Sequence, residues 1–205
     1  VGGHGIDISL ANYNTFIRST ATVNATGSRA INFAGASSNT ITQCYFINTS
    51  DTAMELYNGS NNNFVGQSTM IGGPSGNWYP SGIKLSNAAQ NTLTQNRIIH
   101  SSGYGITYQF GAKNNTVSFS TITGDASGTS GIYVEFASTN TFTDSYIQGS
   151  TAAYIYNSVG TSIRSSVLVA TNPIGHALRL SNGSINFSLS SNTLIGGSQA
   201  AGIFL

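Results

Sequence analysis

The chain has 205 residues, 39% hydrophobic and only 6% charged, with a net charge of +1. Soluble domains ordinarily carry charge on about a quarter of their residues, so hydroxyls, amides and backbone must meet the water here, and no basic footprint for nucleic acid or an anionic membrane surface is present. Ten Tyr and ten Phe exclude a disordered chain, no apolar run approaches the twenty or so residues that span a bilayer, and the lone Cys44 can make neither an intrachain disulfide nor a cysteine metal cluster.

In chain order, the first predicted strand alternates at the N-terminus, with Ile6 and Ile8 on one face and Asp7 on the other. The same alternation returns at Ile31/Phe33, Met54/Leu56, Ile83/Leu85, Ile106/Tyr108, Ile132/Val134, Tyr154/Tyr156, Leu178/Leu180 and Ile203/Leu205. Spacings of 22 to 29 residues, about 25 on average, mark a solenoid. Within each repeat a second strand is predicted around Phe16, Ile41, Phe64, Leu93, Val117, Phe142, Ile163 and Leu189. A third is predicted at Val23, Phe46, Met70, Ile98, Ile122, Ile147, Leu168 and Leu194. Strands this short cannot bury an apolar face alone and must stack on the next coil. An Asn two positions before the second-strand apolar residue recurs as Asn14, Asn39, Asn62, Asn91, Asn115 and Asn140, and gives way to Thr161 and Phe187. Its expected task is left-handed turn geometry, with its amide bonded to the equivalent amide one rung away.

Two stretches leave the repeat. Residues 72–81 form an insertion that holds Trp78, Tyr79, Pro74 and Pro80, and residues 124–131 form a milder one. Loops that leave a rigid stack are where binding usually sits. Val1-Gly2-Gly3 reads as the tail of a third strand, and Gly202-Ile203-Phe204-Leu205 as the start of another coil. Residues 1–205 are therefore expected to be a single β-helix segment of a longer chain, or a unit whose partners are other copies or neighbouring coils placed end to end.

With an Asn-Thr-apolar turn in coils of this length, residues 5–205 resemble the right-handed parallel β-helix repeat proteins, the pectate-lyase-like solenoids. The resemblance implies an all-β fold, a right-handed parallel β-helix of about eight coils with three short strands each. It matches no specific enzyme family. Similarity to the polygalacturonases would bring Asn-x-Asp, Asp-Asp and Gly-His-Gly motifs, of which only Gly175-His176 gives an echo. The pectate lyases would bring an acidic calcium cluster with a basic Arg or Lys, and no such cluster assembles.

Among ionisable residues, Asp7 and Glu55 should project outward on one sheet two rungs apart, about 10 Å at about 4.8 Å per rung. That approaches the separation of an inverting carboxylate pair, although a cross-rung Glu55–Lys84 ion pair is the simpler account. His176 and Arg179 offer an imidazole and a cation to an acidic sugar. These four are the catalytic candidates. Trp78, Tyr79 and Tyr133 are the ligand-binding candidates, because aromatic faces stack on sugar rings; the competing reading folds Trp78 down over the coil. His4 and His100 lack spaced partners, so neither a metal nor a cofactor is expected.

The leading expectation is a non-catalytic structural β-solenoid module of an extracellular or cell-surface protein that assembles end to end. A second reading is a carbohydrate-binding or carbohydrate-active β-helix, hydrolase- or lyase-like, that uses the outward file Asp7, Glu55, Lys84, Tyr133 and Arg179 or the Trp78 loop. A third, ice binding, comes from the outward pairs Thr40/Thr42, Thr92/Thr94 and Thr141/Thr143, an array broken at Ile17, Asn63, Val65 and Arg164. Neither nucleic acid nor membrane insertion is expected.

Overall fold

Period-two strands two to six residues long, each ended by a tight corner, wind into a right-handed parallel β-helix of eight coils. The computed structural model describes residues 3–74, 79–124 and 128–205. Every described strand pairs in parallel with its counterparts in the adjoining coils, giving three sheets of nine, eight and eight strands. The opening sheet runs from Ile6–Ser9 to Ile203–Phe204, the second from Thr15–Ile17 to Ser188–Ser190, and the third from Thr20–Val23 to Thr193–Ile195.

The core is a set of columns parallel to the axis. In the opening sheet one column runs Ile6, Ile31, Met54, Ile83, Ile106, Ile132, Ala153, Leu178 and Ile203. Its interior members are fully buried, and each large one contributes about 1.5–3 kcal/mol of hydrophobic stabilisation.

Three strands sit one or two residues from where the pattern places them. Tyr154 and Tyr156 point outward, and Ala153 and Ile155 fill the interior columns. Residues 152–156 are Ala-Ala-Tyr-Ile-Tyr, so the alternation reads equally well in either phase. The phenol groups break the tie. Outside, their hydroxyls accept hydrogen bonds from Ser181 Oγ at 3.1 Å and Asn182 Nδ2 at 2.5 Å, whereas inside they would be buried without partners. In the second sheet Val65, not Phe64, is the buried residue, and Asn63, not Asn62, joins the asparagine column. Three consecutive Asn (61–63) permit either phase; the observed one lays the exposed Phe64 ring over Gly66, where a Cβ would meet it at 2.7 Å. In the third sheet Ala21 rather than Val23 stands in the Phe46 column.

The left-handed corner also falls one residue earlier than expected. Tyr13, Ser38, Asn62, Gln90, Asn114, Thr139 and Asn186 have φ between 54° and 61°, and each directly precedes a position of the asparagine column. This turn aims the following side chain along the axis. Nδ2 of each Asn donates to Oδ1 of the next at 3.0–3.1 Å, through Asn14, Asn39, Asn63, Asn91, Asn115 and Asn140. The chain of amides stops at Thr161, whose buried hydroxyl has no partner. A second column lines the next corner, where backbone N–H groups donate to side chains one coil on through Cys44, Ser68, Asn96, Ser120, Ser145, Ser166 and Asn192. Cys44 is thus a buried turn residue, its thiol donating to Thr42 O at 3.2 Å.

Candidate functional site

Because inward residues are fixed by the columns, the residues between them form an outward file on the opening sheet. In register it reads Asp7, Asn32, Glu55, Lys84, Thr107, Tyr133, Tyr154, Arg179 and Phe204. The file has an ionic half and an aromatic half.

In the ionic half every carboxylate has a partner. Asp7 accepts Asn32 Nδ2 at 2.9 Å. Glu55 accepts Arg29 Nε at 2.7 Å and lies 3.8 Å from Lys84 Nζ. Arg29 also reaches the buried Asp51 at 3.2 Å, and Asp51 accepts the backbone N–H groups of Gly27 and Thr52. Asp7 and Glu55 stand two rungs apart on one file with Asn32 between them, each tied to its own neighbour.

The aromatic half is continuous. The rung spacing of about 4.8 Å lies within the distance at which rings favour one another, so tyrosines on successive coils meet. Tyr79, carried in by the insertion, lies 5.8 Å from Tyr104 and 5.4 Å from Tyr133. Tyr104 and Tyr133 stack at 5.1 Å, and Tyr133 meets Tyr154 at 5.3 Å. The Arg179 guanidinium then lies 4.7 Å from the Tyr154 ring and 5.6 Å from the Phe204 ring, and His176 stacks on Phe204 at 4.9 Å. Tyr133 is only 6% exposed. Tyr79 and Tyr133 therefore pack within the tyrosine cluster, while Trp78 lies outside the described residues.

Beneath these rings is a buried polar layer. Ser81 and Thr107 share a hydrogen bond of 2.6 Å, and Gln109 Nε2 donates to Glu135 at 2.8 Å. Burial first, then Tyr79, Glu135 and Tyr154, pushes the Tyr104 phenol up to about 12. Burial and the neighbouring Glu135 carboxylate raise Tyr133 as well. Near neutral pH both are hydrogen-bond donors, not phenolate bases.

A cleft of about 290 Å³ opens beside Tyr154 and Arg179. Its walls are Gly128, Ser130, Ser150, Thr151, Asn172, Ile174 and Gly175, on the connections that lead from third strands into opening strands of successive coils. The wall is close-fitted at Gly175, where a Cβ would lie 1.8 Å from Ser150 O. Hydroxyls, one amide, one guanidinium and one ring thus face a common space. Arg179 and His176 are legible candidates here. The cleft is not, because its lining comes from three coils and its ring, Tyr154, reads from the pattern as interior.

No group of three His, Cys, Asp or Glu converges among the described residues. His4 accepts the Arg29 N–H at Nδ1, and His176 Nδ1 lies 2.9 Å from Ala201 O. His100 is fully buried, accepts the Ser102 N–H at Nδ1 and leaves Nε2 unpartnered. Burial lowers its pKa to about 4, against the opposing pull of Asp51.

The model of the family described as NosD, periplasmic copper-binding protein, matches residues 29–203. A mutant of the periplasmic alginate epimerase AlgG superposes with a TM-score of 0.70 at 11% identity, over 93% of this chain and 49% of that one. The A-module of the Azotobacter vinelandii mannuronan C-5 epimerase AlgE4 gives 0.62 at 15% identity, over 95% and 62%. The chain thus spans about half to three-fifths of these structures, and at such identity the likeness is one of fold. No curated protein matches in sequence.

Proposed function

From the premise that the chain belongs to the NosD family of periplasmic copper-binding proteins, we propose that it is a non-catalytic β-helix module of an extracellular or envelope protein, and that it binds a glycan at the Tyr154–Arg179 cleft. The observation that carries this reading is the lining of the cleft: a half-buried ring and a guanidinium facing three side-chain hydroxyls and an amide. Small-molecule sites pair apolar or aromatic area with a few placed polar groups, and a sugar offers a matching apolar ring face and a rim of hydroxyls. Both fold neighbours are carbohydrate-active by name, which supports the same class of ligand.

Copper fits the residues poorly. Soft thiolate and thioether donors suit Cu(I), and imidazoles suit copper generally, but Met54, Met70 and Cys44 are buried in separate columns. The three histidines lie at His4, His100 and His176, the first and last of them seven coils apart. These donors therefore form no common copper site among the described residues.

Binding without reaction is supported by the state of the acids. Glu55 lies between Arg29 and Lys84, Glu135 takes the Gln109 amide, and the Tyr104 and Tyr133 phenols hold their protons. A general base needs a pKa near the working pH and a free approach to its proton.

The test is a glycan array probed with the purified chain and with Tyr154→Ala, followed by mass spectrometry and proton NMR of any bound oligosaccharide after prolonged incubation. Binding that Tyr154→Ala removes, with the oligosaccharide's mass, linkage and ring stereochemistry unchanged, is the expected result. An array with no bound glycan, equal binding by the variant, or a shortened, unsaturated or epimerised product would contradict the proposal.

A further inference from the structure

We propose that the glycan held by the cleft is acidic, with a uronate carboxylate seated on the N–H edge of Arg179; this rests on the glycan-binding reading above. The other two cations along this face already end on acids: Arg29 on Asp51 and Glu55, and Lys84 on Glu55. Arg179 makes no ion pair among the described residues. It is an exposed residue on a chain with few charges, and it contributes to the cleft wall.

Its contacts determine which part of it is available. Tyr154 covers the guanidinium at 4.7 Å and Phe204 lies 5.6 Å away, with His176 stacked behind Phe204. Tyr154 is itself held in place, its hydroxyl accepting Ser181 Oγ. Tyr154 and Phe204 flank Arg179 in register on the adjoining coils, and the donors of a guanidinium lie in its plane, along the edge. A planar fork fixed in this way matches the two oxygens of a carboxylate, and less of its freedom is lost when the ligand arrives. The remaining lining argues against a bare anion. Ser150 Oγ and Asn172 Oδ1 each accept one backbone N–H, from Gly128 and Ile174, so the donors of these two side chains and the hydroxyls of Ser130 and Thr151 are what the ring hydroxyls of the same sugar would engage.

Three probes decide the matter by isothermal titration calorimetry on the intact chain: a hexuronate oligomer, the same oligomer with its carboxyls reduced to primary alcohols, and a sulfated neutral oligomer of equal length. A hydrogen-bonded charge pair of this kind corresponds to about tenfold to a hundredfold in affinity. The uronate should bind that much more tightly than its reduced form, Arg179→Gln should abolish the preference, and Arg179→Lys should restore part of it. Thermal melting of both variants confirms that the stack is intact. Equal binding of uronate and reduced oligomer would overturn the acidic assignment while leaving the glycan reading standing. So would a preference that survives Arg179→Gln. Stronger binding of the sulfated oligomer than of the uronate would overturn the carboxylate. Failure of all three to bind would remove the glycan reading on which the inference rests.

Discussion

Truncation of Asn91 to Ala is the sharpest test of how the coils are held in register. Asn91 Oδ1 accepts the backbone N–H of Asn63 at 2.9 Å and its Nδ2 at 3.1 Å, while Asn91 Nδ2 donates to Ser60 O at 2.9 Å and Asn115 Oδ1 at 3.0 Å. After truncation, Asn63 Nδ2 keeps Ala36 O and Asn115 Oδ1 keeps the Asn91 N–H. The Asn63 N–H and the Ser60 carbonyl lose these partners in a site closed to water. A buried polar group left unpaired costs about 1–3 kcal/mol, so Asn91→Ala should destabilise the chain by about 4 kcal/mol. Asn14→Ala, at the exposed end of the same column, loses side-chain bonds only to Asn12 O and Asn39 Oδ1 and should cost no more than about 1 kcal/mol. Urea unfolding followed by far-ultraviolet circular dichroism measures both. If Asn91→Ala lies within 1 kcal/mol of wild type, or costs no more than Asn14→Ala, the amide column does not organise the stack.

The buried His100 gives a pH signature: its folded pKa, about 4, lies below the unfolded value of 6.5, so the unfolded chain takes up a proton that the folded chain refuses. Stability should be full above about pH 6.5 and fall by about 3 kcal/mol as the pH drops to about 4. His100→Asn, which copies the Asn48 of the same register row, should flatten that slope in urea titrations run at successive pH values. Val65→Ser buries a hydroxyl and removes core area and should cost about 3 kcal/mol, whereas Phe64→Ser next to it should cost less than about 1 kcal/mol; the reverse order would put the second strand back in the other phase. Gly175→Ala drives a methyl onto the Ser150 backbone carbonyl, so the two coils must part there, and it should lower both the melting temperature and the glycan affinity measured by calorimetry.

The coil repeat is legible because burial on one side imposes period two, and every coil must repeat it to stack on its neighbour. Phase fails where both faces of a segment look alike, as in residues 152–156 and 61–65, and there hydroxyl satisfaction and the amide column decide. The outward file is the complement of the inward columns, so Asp7, Glu55, Lys84, Tyr133 and Arg179 are found together as the spacing implies. Arg29 is less visible, since it sits on the approach to its strand and reaches Glu55 from one coil away. The cleft is less visible still. Its residues fall in three groups, 128–130, 150–154 and 172–179, which meet only through loops that no periodicity describes.

Hydrogen exchange read by mass spectrometry, with and without a saturating uronate oligomer, addresses the central claim most directly. The account predicts slowed exchange in peptides covering residues 128–133, 150–156 and 172–180, with the threonine face of the second sheet and the Asp7–Glu55 half of the file unchanged. Protection confined to the second sheet, or to the ionic half, would place the working surface elsewhere and contradict it.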